Sequence, residues 1–117
     1  MSYWECDEAS AFDYLAILEV KVDKFQMKAG WNSYRECFEN IRNELDYNLF
    51  TKILDSSEYK ALYDANILTF DLVEKARHGK EEDVTAKEVD DANFKRYYAK
   101  QALQKKFFGQ ELKEFKN

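Results

Sequence analysis

Not one proline interrupts this chain, and its three glycines, Gly30, Gly79 and Gly109, lie far apart. Proline breaks helices and glycine loosens them, so a sequence nearly without either is built for long helices. Tight turns and glycine-rich phosphate loops lack the residues they need. Each glycine stands where a run of apolar residues spaced by three and four stops. That is the position at which a residue without Cβ takes the left-handed conformation that ends a helix.

Four helices are expected on this punctuation. Ala11, Leu15, Leu18, Val22 and Phe25 form one apolar stripe on a helix over about 8–28. After Gly30, Ser33 and Glu36 have capping-box spacing, and Tyr34, Phe38, Ile41, Leu45 and Leu49 carry a second stripe over 33–54. Asp55-Ser56-Ser57-Glu58 restarts the chain into a third helix over 57–78, with Leu62, Ala65, Thr69, Leu72 and Ala76 as its seam. Tyr63, Ile67, Phe70 and Val73 widen its apolar face, which predicts a central position. Thr85 with Glu88 forms a capping box, Val84 and Val89 occupy the staple positions, and a fourth helix runs over 86–108. A short tail, 109–117, packs through Leu112 and Phe115. Short connections between such helices predict an all-α fold: an antiparallel four-helix up-down bundle made of two helical hairpins, in one domain spanning 1–117.

A chain of 117 residues with 45% apolar and 16% aromatic side chains can bury a core without disulfides or metal. Cys6 and Cys37 make no disulfide framework, and Met1-Ser2-Tyr3-Trp4-Glu5 carries no charged region before an apolar run. A cytoplasmic protein with reduced thiols is expected. No stretch approaches 18 apolar residues, so no membrane is involved. The 19 aromatic residues exceed what a narrow four-helix core readily hides, which predicts a homodimer.

Net charge is -5, against the basic footprint of nucleic-acid binders. Its distribution is uneven: residues 1–55 and 56–92 each carry -5, while 93–117 carry +5. A basic last helix beside acidic neighbours explains this through ordinary exposed pairs. An anionic ligand or partner is the alternative.

The inventory excludes several chemistries. One histidine cannot supply a three-histidine zinc site or the paired Glu-x-x-His motifs of di-iron bundles. The two cysteines have no close-spaced Cys or His partner. No metal, no cofactor and no catalytic residue is therefore expected. His78, one turn after Glu74 and next to Arg77, reads as a helix-end cation facing the carbonyl dipole.

A polar residue lodged in an apolar seam is more informative, because burying it is costly unless it is satisfied. Arg96 lies between Ala92 and Ala99, where the spacing reserves a core position, with Asn93 adjacent. If the third and fourth helices form an antiparallel hairpin closed by Gly79 and Thr85, Asn66 comes opposite Arg96. Arg77, 11 residues further on, lies roughly 16 Å away along the axis. The expected polar site is thus Asn66, Asn93 and Arg96, with Glu19 of the first helix as counter-ion. It reads either as a satisfied network that sets helix register or as a pocket in which Arg96 grips a phosphate or carboxylate.

The segment Asp13-x-Leu15-x-Ile17-Leu18-Glu19-x-Lys21 resembles the opening signature of a family of small bacterial and phage helical proteins of unknown function. Asn66, Phe70, Arg77, Asn93, Arg96, Lys100, Gly109, Leu112, Glu114 and Lys116 follow in the same order. That family carries a longer connection between the positions of Arg77 and Asn93, and Trp where Phe70 stands. The resemblance implies a cytoplasmic helical protein with no known reaction, in which Glu19, Asn66, Asn93 and Arg96 form one polar set. A binding or interaction module is the expected function. An enzyme or binding protein for a small anionic metabolite, with Glu19 as acid or base, is the alternative.

Overall fold

The computed structural model describes residues 7–25, 28–77 and 85–109, and every secondary-structure element among them is an α-helix. They are α1 (Glu8–Phe25), α2 (Lys28–Glu44), α3 (Tyr47–Leu54), α4 (Ser57–Arg77) and α5 (Ala86–Phe108). The all-α expectation holds for these residues. Val84, Gly79, His78, Cys6 and the segment 110–117, to which the sequence assigned staple, cap, dipole, thiol and packing roles, lie outside the described residues.

Two local expectations are corrected in the second helix. It begins at Lys28, so Gly30 lies inside α2 and caps nothing, and Ser33 is an exposed interior residue rather than an N-cap. It also fails to run through to residue 54. Asp46, with φ -57° and ψ 136°, takes an extended conformation, and its carboxylate accepts the Leu49 N–H at 3.2 Å. An aspartate that offers its side chain to a nearby backbone amide favours a new helix start over continuation. The break redirects the chain so that Phe50 and Ile53 of α3 both enter the core. Phe38 of α2 then meets Phe50 edge-on at 4.9 Å, and Phe12 of α1 meets it at 6.2 Å.

Other junctions follow the sequence. The Ser56 hydroxyl accepts the Tyr59 N–H and donates to the Ile53 carbonyl, closing α3 and opening α4 with one side chain. Thr85 accepts the Glu88 N–H at 3.1 Å to start α5, and Gly109 ends it in the left-handed conformation at φ 67°. Glu58 meets Lys106 near one end of the α4–α5 pair, while Asn66 and Arg96 reach the same Asp13 carboxylate further along it. Residue numbers therefore fall along α5 as they rise along α4, as an antiparallel hairpin requires.

The deepest burial falls on α1 rather than α4. Ala9, Phe12, Leu15, Ala16 and Val20 are fully buried, on more than one side of the helix, because α1 packs against α2, α4 and α5 together. α4 buries Tyr59, Leu62, Ala65, Asn66 and Leu72, but Tyr63, Ile67 and Phe70 are half-buried and Val73 is exposed. Its second apolar face is thus only partly covered. Cys37 and Ile41 of α2, with Ala99 and Leu103 of α5, complete the core.

Candidate functional site

Three helices converge on the carboxylate of Asp13. Asn66 of α4 donates Nδ2–H to Asp13 Oδ1 at 2.9 Å and to the Leu62 carbonyl at 3.0 Å. Arg96 of α5 donates Nε–H to both oxygens, at 3.2 and 3.0 Å, and Nη2–H to Oδ2 at 2.7 Å. The Asp13 side chain is 5% exposed and that of Arg96 is 33% exposed, so the carboxylate is buried while the arginine is only partly so. A buried carboxylate with a two-pronged arginine and an amide donor is well satisfied.

The expected neighbourhood of Asn66 and Arg96 is therefore observed, whereas two of its companions are not there. Asn93 is exposed. One residue beyond Ala92 the helix has turned about 100°, which carries Asn93 out of the seam. Glu19 is not the counter-ion of Arg96. It lies six residues along α1 from Asp13 and accepts the Tyr59 hydroxyl at 2.7 Å. The sequence did contain a signal for Asp13: with Ala9, Ala16 and Val20 it forms a 4,3,4-spaced stripe, the same pattern of a charge among small apolar residues that singled out Arg96.

Glu19 belongs to a second polar group. Asp23, one turn further on, accepts the Tyr63 hydroxyl at 2.9 Å, so two carboxylates of α1 face two tyrosines of α4. Burial raises the Glu19 carboxyl above its ordinary value; the Tyr59 hydrogen bond opposes this and the nearby Asp23 charge adds to it. Desolvation first, and these carboxylates next, push the Tyr34 and Tyr63 hydroxyls up to about 12. Tyr59 is raised as well, by burial and then by Glu19. None of these phenols ionises near neutral pH, so Tyr59 and Tyr63 keep the protons they donate to Glu19 and Asp23.

Gln104 is the second buried partner that sequence reasoning missed. Fully buried, it accepts the Ala9 N–H at 2.9 Å and donates Nε2–H to Glu8 at 2.9 Å, so α5 caps the first turn of α1. No spacing rule marks a residue that caps a helix 95 positions away.

Among the described residues no cluster of three or more His, Cys, Asp or Glu side chains could hold a metal ion. None of their helices is long and apolar enough to cross a membrane. No family model, curated protein or solved structure matches the chain. The roles of these residues rest on geometry alone.

Proposed function

We propose that the protein is a non-enzymatic helical interaction module that acts as a homodimer in the cytoplasm, in keeping with the small bacterial and phage proteins it resembles. In this reading α1–α2 and α4–α5 are the two hairpins of an antiparallel bundle, with α3 as a short link. The observation that carries it is an aromatic ledge on α5. Phe94 and Tyr98, 57% and 62% exposed, stack on each other at 6.2 Å and 24°. Aromatic rings held in order at a surface are what interaction sites use.

The competing reading, an anionic metabolite gripped by Arg96, loses support because Asp13 takes up Nε and one terminal nitrogen of the guanidinium. Asp13, Asn66 and Arg96 act instead as a register lock between three helices. Two measurements test this division. Light scattering at micromolar concentration should give about twice the 14.0 kDa of the chain. Phosphate should raise the melting temperature of wild type and of Arg96→Met equally, as expected of a salt effect. A rise confined to wild type would reinstate the anion pocket.

A further inference from the structure

The exposed face of α5 has a symmetry that assigns its partner. Asp91, Phe94, Tyr98, Ala102 and Lys105 are all exposed and follow one another by 3, 4, 4 and 3 residues, so they lie along one stripe of the helix, about 21 Å long. This spacing reads the same in both directions. The stripe is also ordered by chemistry: acid at one end, base at the other, rings between them, and one small residue.

We propose that two copies of the chain pair through antiparallel α5 helices about a two-fold axis at Tyr98. Tyr98 then faces its own symmetry mate, Phe94 of each copy faces Ala102 of the other, and Asp91 of each faces Lys105 of the other. In a self-complementary contact every such pair occurs twice. The large ring meets the small side chain, which lets the helices approach closely. A parallel arrangement would set Asp91 against Asp91 and Lys105 against Lys105, so charge selects the antiparallel one. Beside Tyr98 a groove between α4 and α5 offers Ala61, Ala65, Leu68 and Ala99 to the incoming ring, with Asp64 and Lys95 also in its lining. A partner of a single charge sign would match only one end of the stripe, whereas a second copy matches both.

This inference rests on the reading of the chain as a self-associating module and specifies the surface used. Sedimentation velocity up to about 100 μM should show a dimer of wild type. Asp91→Lys and Lys105→Glu should each raise the dissociation constant roughly tenfold or more, because each turns two attractions into two repulsions. Mixing the two variants should restore association as a heterodimer, since the introduced lysine of one chain then faces the introduced glutamate of the other, while the unaltered Asp91 and Lys105 face each other at the opposite end. Both sites are exposed, so far-UV circular dichroism should show every variant folded. A wild type that stays monomeric at the highest concentration overturns both the α5 pairing and the dimeric reading. A dimer indifferent to the charge reversals, or a mixture that fails to reassociate, overturns the α5 pairing and leaves self-association standing on another surface.

Discussion

Asp13 ties α1 to α4 and α5 by accepting from Asn66 and Arg96. Truncating Arg96 strands a buried carboxylate, and Arg96→Ala should cost about 3 kcal/mol, the low end for a broken buried pair because the arginine is only partly buried. Asp13→Ala should cost a similar amount, since it leaves Arg96 without its carboxylate and Asn66 with the Leu62 carbonyl alone. Asp13→Asn with Arg96→Met removes both charges and keeps an oxygen for Asn66, so the double variant should recover much of the loss. Urea denaturation of wild type, Asp13→Asn, Arg96→Met and the double variant measures the coupling, and strictly additive losses would show that the pair is not coupled.

Glu19 makes a prediction of opposite sign to an ordinary paired carboxylate. Its folded value lies above the ordinary 4.5, so the folded protein holds the proton more tightly than the unfolded chain. The stability this contributes is complete below the ordinary value and is lost as pH rises through the folded one. Glu19→Gln keeps an oxygen for Tyr59 and cannot ionise. Across that window wild type should therefore lose stability, relative to Glu19→Gln, as pH is raised; a difference that does not change with pH would contradict the burial of this carboxylate.

At the scale of the helices, the caps separate a true start from a resemblance to one. Thr85→Ala removes the acceptor of the Glu88 N–H and should cost about 1 kcal/mol. Ser33→Ala should be neutral or slightly stabilising, because Ser33 lies exposed inside α2, where alanine is the better helix former. Equal costs in thermal unfolding would mean that α2 starts at Ser33 after all. Gly109→Ala should lose about 1 kcal/mol through backbone strain alone: the residue sits at φ +67° and an added Cβ meets no atom within 4 Å.

For the whole molecule, burial is concentrated on α1 while the aromatic ledge of α5 remains outside. α1 packs against three helices and keeps a narrower exposed stripe that includes Tyr14. The C-terminal half of α5 carries Lys100, Lys105 and Lys106 against Glu88, Asp90 and Asp91 in its first turns. Of the basic residues in the last 25, Arg96 pairs with Asp13 of α1, Lys106 pairs with Glu58 of α4, and Lys105 is exposed on the stripe that a second copy would cover. Raising ionic strength should weaken the proposed dimer, whose proposed Asp91–Lys105 pairs salt would screen, and the concentration dependence of the mass at low and high salt measures this.

The sequence alone determined the features that depend on neighbours within a turn or two. Helix content, the Thr85 and Gly109 caps, and the neighbourhood of Asn66 and Arg96 all follow from spacings of three and four and from one hairpin's arithmetic. The same local logic failed where signals compete: Ser33 and Glu36 have the spacing of a start, and Asp46 is no stronger a cap by composition, yet the helix begins at Lys28 and breaks at Asp46. What settled it was where Phe50 and Ile53 could be buried. Only the tertiary structure decided that Asp13 rather than Glu19 answers Arg96, that Gln104 caps α1, and that α1 is the most buried helix. Each depends on how α1 is rotated and set against the α4–α5 pair. That rotation is fixed by the packing of the whole core, to which residues from all five helices contribute at once.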